Sequence, residues 1–139
     1  MPAAFPRRRG ATYLNASIHH VYERWLARAR RYAELAKEMA SRGLYPEACL
    51  FAQQAAEFHL KGLLIKATGS RPYTHSILHL LRSYLSILGR EAGEEAARCA
   101  KLLTEHYLGA RYPDARLLEY DKGDAEECLR CLDVVLHAV

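Results

Sequence analysis

Within four consecutive residues, Arg111-Tyr112-Pro113-Asp114, the chain places a guanidinium, a phenol and a carboxylate. An arginine in a loop between helices can grip a phosphate or an RNA backbone through two parallel N–H donors. The same residues admit a plainer use, in which Arg111 and Asp114 pair with each other or cap helix ends. Upstream, Gln53, Glu57 and Lys61 recur at i, i+4 and i+8, one stripe of a helix. Buried charge needs a partner, and Glu57 with Lys61 supplies one. That stripe either ties helices together or opens into a pocket shared with Arg111 and His75, where Lys61 would meet a phosphate. His106 lies five residues before Arg111 and can reach the same region from the preceding helix. His75 and His79 have a spacing that suits a metal, but no nearby carboxylate or cysteine completes the set, so no metal is expected. Cys128-x-x-Cys131 has no second such pair and no preceding strand. With Cys49 and Cys99, these cysteines read as small core residues and not as a disulfide scaffold.

The elements that must position these groups are all helices. A first helix is expected over Ser17 to Ser41, capped by Ser17 and stopped at Gly43, with Ile18, Val21, Tyr22, Trp25, Ala29, Tyr32 and Ala36 on its inner face. The segment from Tyr45 to Gly69 is apolar nearly all round, as befits the central helix of a bundle, and Pro46 suits its first turn. Thr74 is the expected N-cap of a third helix carrying Ile77, Leu80, Leu81, Tyr84, Leu85 and Leu88. A fourth runs from about Glu94 to Leu108, with outer pairs Glu94–Arg98 and Lys101–Glu105 and with Ala96, Cys99, Leu103 and Tyr107 turned inward. After a loop from Arg111 to Gly123, a fifth begins at Asp124, where Asp124 and Glu127 form a capping-box pattern. No stretch alternates with period two. The expected fold is all-α: an antiparallel, up-and-down bundle of about five helices.

At 139 residues, half of them apolar, the chain is one domain with a core of its own. Residues 1–14 read as a flexible basic tail containing Arg7-Arg8-Arg9, and residues 15–139 as the helical domain. The tail and the ridge Arg24, Arg28 and Arg31 offer the best surface for nucleic acid, although such a ridge is most often simply solvated. No run reaches the roughly 20 apolar residues of a membrane span, and the N-terminus lacks the apolar stretch of a secretory signal. A cytoplasmic location is expected. The net charge of +4 permits a nucleic-acid partner without demanding one. Arginine far outnumbers lysine, and asparagine and glutamine are scarce, a composition that fits a hot organism.

The stretch FAQQAAEFHLKGLL in the second helix, Thr74-His75, and ARYPDA at Ala110 together resemble the HEPN family. These are small helical bundles tied to nucleotide and RNA chemistry. The likeness runs from about Ser17 to Val139. It implies a homodimer without a prosthetic cofactor. Nuclease members of the family use an arginine four to six residues before a histidine. Arg111 starts that pattern, but positions 116 to 118 hold Arg116, Leu117 and Leu118. A metal-free ribonuclease needs an acid–base group near the ribose 2′-hydroxyl, and histidine suits that role at neutral pH. The resemblance therefore implies a non-catalytic module that binds nucleotide or RNA at Arg111, Tyr112 and Asp114, with Lys61, His75 and His106 nearby. It would act beside a minimal nucleotidyltransferase on a separate chain, in a system like a toxin–antitoxin pair. The alternatives are an endoribonuclease rebuilt around His106 or His75, and a purely structural dimerisation module.

Overall fold

The computed structural model describes the backbone of residues 4–139 and the side chains of residues 20–139. The nearly all-apolar segment becomes α2 (Tyr45–Thr68), which touches each of the other four helices: α1 (Ala4–Ser41), α3 (Ile77–Ile87), α4 (Glu94–Gly109) and α5 (Lys122–His137). Among the described residues there is no strand. Trp25 packs on Phe58 and Tyr32 on Phe51, so α1 and α2 run antiparallel. The core is built from Ala36, Ala52, Ala56, Leu60 and Leu64 against Leu80, Leu81, Leu85, Leu103, Leu132 and Val135. Small residues dominate the α2 contribution, which lets four neighbours approach one helix.

Two glycines set close approaches. A Cβ on Gly62 would sit 2.8 Å from Leu26 Cδ2 and 3.3 Å from Trp25 Cβ, so its absence brings α1 against α2. Gly69 closes α2 in the left-handed region, where its amide donates to the Ile65 carbonyl.

Several element ends differ from the expectations. α1 begins at Ala4 and not at Ser17. The side chains of the expected tail, Arg7-Arg8-Arg9 included, lie outside the described residues. α3 is capped by Ser76, whose hydroxyl accepts the His79 amide at 3.1 Å, while Thr74 braces the turn by accepting the Ser76 amide at 3.1 Å. α5 starts one turn early. Asp121 and Asp124 form a reciprocal capping box at 2.9 Å each way, because the same acid-x-x-acid spacing occurs there first. The outer pairs on α4 are also different: Glu95, not Glu94, holds Arg98 (3.2 Å) and reaches Arg130 of α5 (2.8 Å).

The four cysteines are core residues, as expected, but they are also paired. Cys49 of α2 is bonded to Cys128 of α5, and Cys99 of α4 to Cys131 of α5, with Cα separations of 5.3 and 4.8 Å. The three-residue offset on α5 turns one sulfur toward each neighbouring helix, which sequence spacing alone does not reveal.

Candidate functional site

The polar stripe of α2 is the base of the site. Glu57 Oε2 accepts from Lys61 Nζ at 2.8 Å, and Glu57 Oε1 accepts from Gln53 Nε2 at 3.0 Å. The side chains of Lys61 and Glu57 are only 6% and 4% exposed. An ion pair this deep is held by compensation, and Lys61 left without its carboxylate would be strongly destabilising. Lys61 is thus committed to Glu57. The carboxylate also meets His75 Nδ1 at 3.1 Å, and Gln53 Nε2 braces the His75 carbonyl at 3.3 Å. His75 therefore sits in the loop before α3, oriented by a buried carboxylate, with half its side chain (51%) exposed. Its Nε2 edge is turned away from the Glu57 contact.

The His75 ring stacks on Tyr107 of α4, centroid to centroid 3.7 Å at 21°. The Arg111 guanidinium lies over the same Tyr107 ring at 4.7 Å, and its Nε donates to the Tyr107 carbonyl at 3.3 Å. Arg111 thus caps the end of α4 and makes no ion pair with Asp114 among the described residues. One of the two plain uses foreseen for it is realised and the other is not. Its exposed terminal nitrogens remain available to an anion.

On the adjacent face of α4, His106 Nδ1 faces the Tyr120 hydroxyl at 2.8 Å. Gly109 makes that contact fit: a Cβ there would lie 2.8 Å from the Tyr120 oxygen. Burial, and then the nearby Arg116 charge, push the His106 pKa down to about 4, so the imidazole is neutral at physiological pH. Arg116 lies over the Tyr120 ring at 4.0 Å and reaches Asp124 at 3.5 Å. Burial works against ionisation of Asp124, but the Asp121 amide and Arg116 hold its pKa below the usual value. One Arg116 nitrogen, Nη1, is buried without a hydrogen-bond partner.

A cavity of about 250 Å³ opens between these groups, with Glu47, Arg111, Tyr112, Arg116 and Tyr120 on its walls. Tyr112 is half exposed at its edge, and Asp114 is exposed on the loop beyond. The structure thus gathers Arg111 and Tyr112 at the cavity, places His75 behind Arg111 through Tyr107, and places His106 behind Tyr120. Lys61 does not line this cavity. Cys49, Cys128 and His106 bring potential metal-ligating atoms within 4.8 Å of one another, but the two sulfurs are bonded to each other. Tyr107, Arg116 and Tyr120 were not anticipated as site residues. Tyr107 had a signal, an aromatic four residues before Arg111 across a helix end. Tyr120 had none, since only the folding of the loop brings it to His106.

The sequence matches the family model for the HEPN domain over residues 22–139. The chain belongs to the HEPN family. This HEPN chain is similar to the crystal structure of TT1696 from Thermus thermophilus, at 35% identity and a TM-score of 0.71, covering 85% of this chain and 98% of that one. It is also similar to ST0689, described as an archaeal HEPN homologue, at 34% identity and a TM-score of 0.66, covering 84% of this chain and 92% of that one. No curated protein matches it. No helix among the described residues is long and apolar enough to cross a membrane.

Proposed function

We propose that this HEPN domain binds the phosphate of a nucleotide or RNA in the cavity between Arg111 and Arg116, as a non-catalytic module. One observation carries the reading: two guanidiniums, those of Arg111 and Arg116, line one cavity. Arg116 stands where nuclease members of the family would be expected to carry a histidine, so it exchanges an acid–base group for a second positive charge. Tyr112 and Tyr120 supply faces against which a base can lie.

The module acts as a homodimer beside a separate nucleotidyltransferase chain, in a toxin–antitoxin-like pair in the cytoplasm of a heat-adapted organism. The exposed apolar side chains Leu108, Tyr112, Leu117 and Leu118, of which Tyr112 and Leu118 line the cavity, support the dimer. Calorimetric titration with AMP, ATP and a short RNA tests the reading. Arg111→Ala and Arg116→Lys should each weaken binding about tenfold or more, the loss of one charge-assisted contact. Equal affinity in both variants would refute it.

A specific observation favours a second reading, RNA cleavage. His75 is held by buried Glu57 and stacked on the tyrosine that also carries Arg111. Metal-free cleavage of a structured RNA pool, lost in both His75→Ala and Arg111→Ala, would establish it. Cleavage that survives both would exclude it.

A further inference from the structure

A second polar and aromatic surface lies elsewhere on the molecule, along α1, the end of α2 and the loop after it. The close α1–α2 contact at Gly62 lodges Trp25 half-buried between the helices. Its indole is tilted against Phe58 at 4.7 Å, and the Arg71 guanidinium lies over it at 4.6 Å. Arg71 also lies over Tyr73 at 5.2 Å, and Lys66 over Tyr22 at 5.5 Å. Two cavities of about 330 and 350 Å³ share Val21 and Trp25 in their walls. Arg24 and Arg28 line the first, and Arg71 and Tyr73 the second. Together they form a trough with an aromatic floor and a cationic rim.

Three features of this trough are costly unless something covers it. Tyr73 is 95% exposed, against the tendency of a large aromatic to bury its ring. Arg24 and Arg28 are like charges one helical turn apart, an unfavourable arrangement. Further along the same helix Lys37 pairs with Glu34 and Arg42 with Glu38, yet no carboxylate pairs with Arg24, Arg28 or Arg71 among the described residues. The sequence withholds acid from this region. Glu23 is the sole acidic residue before Glu34, and none occurs between Glu57 and Glu91.

We infer that this trough is a binding surface for single-stranded nucleic acid, with a base stacked on the open face of Tyr73, beside Trp25, and phosphates on Arg24, Arg28 and Arg71. Stacking on exposed aromatics needs bases freed from a duplex, and interleaved arginines match the repeating backbone charge. A second copy of this chain fits poorly, because a two-fold contact would set these arginines against themselves. The inference does not depend on the Arg111 cavity.

Trp25 is the single tryptophan of the chain, so its fluorescence reports on the trough directly. The full-length protein would be titrated at low salt with a twelve-residue oligo-uridylate and, separately, oligo-thymidylate. Saturable quenching is expected, and its dependence on salt should have a log–log slope near −2 for three phosphate contacts. The two oligonucleotides tell whether RNA or DNA is preferred. Tyr73→Ala, at a site too exposed to disturb folding, should weaken binding about tenfold. The double variant Arg24→Glu/Arg28→Glu should weaken it further and flatten the salt slope. Arg111→Ala should leave the quenching unchanged, which separates this surface from the cavity near α4. The inference is overturned by no quenching, by quenching indifferent to Tyr73→Ala and to the charge reversal, or by quenching lost in Arg111→Ala. Quenching that rises with protein concentration alone would assign the trough to self-association instead.

Discussion

Replacing Glu57 by leucine should unfold this domain more readily than any surface change, and the structure sets the size of the effect. Leucine occupies roughly the volume of glutamate, so no large cavity opens. What changes is Lys61, whose side chain is 6% exposed and whose Nζ has Glu57 Oε2 at 2.8 Å as its partner. Breaking a buried pair in this way costs about 3–5 kcal/mol. For a domain of this size that is a fall in Tm of roughly 10–20 °C. The reverse variant, Lys61→Met, should be milder, about 1–2 kcal/mol, because Glu57 keeps Gln53 and His75 as donors. The double variant Glu57→Leu/Lys61→Met should recover most of the loss. In it Gln53 retains the His75 carbonyl, and half-exposed His75 can turn to water. Urea unfolding of the four proteins followed by circular dichroism, without reductant, closes the cycle. A Glu57→Leu loss below about 1 kcal/mol would mean that water reaches Lys61. A double variant as unstable as Glu57→Leu would mean that the carboxylate serves through Gln53 and His75 and not through the ion pair. Either result refutes the reasoning.

Three further outcomes are expected. His106 has its pKa lowered from the ordinary 6.5 to about 4, so the unfolded chain binds a proton there before the folded one does. Its contribution is intact above pH 6.5 and is lost as pH falls toward 4, up to about 2–3 kcal/mol; His106→Gln should remove that part of the pH slope of stability. The disulfides close loops with sequence separations of 79 and 32 residues, so a chain-entropy estimate gives about 4 kcal/mol each. The denatured, unreduced protein should show no reactive thiol, and reductant should lower its Tm markedly; four titratable thiols would contradict the pairing. Gly62→Ala should destabilise by about 1–2 kcal/mol despite alanine's better helix propensity, because its Cβ would enter the space of Leu26. Thermal unfolding checks this, and a stabilised variant would show that α1 can withdraw at no cost.

The fold was legible where the pattern is dense. The apolar run of α2, the amphipathic spacing of α3 to α5 and the stops at Gly43 and Gly69 reappear in the structure with little change. Helix starts were less legible because two candidate caps compete within a few residues. Thr74 and Ser76 both have hydroxyls, and Asp121 and Asp124 both head an acidic pair; which one caps depends on where the preceding loop is anchored. The stripe Gln53, Glu57 and Lys61 was legible as a buried pair in need of a partner, because helical periodicity puts those positions on one line.

From the sequence by itself follow the all-α bundle, the central place of α2 and the family, because each rests on local spacing along one helix or one loop. Tertiary structure alone decided which groups meet. It stacked His75 on Tyr107, laid Arg111 over the same ring, folded Arg116 and Tyr120 back beside His106, and joined the cysteines of α5 to two different helices. Those contacts join positions many residues apart and depend on how helices rotate and approach. Helix period fixes the face a residue occupies, but the side chain across from it is set by packing.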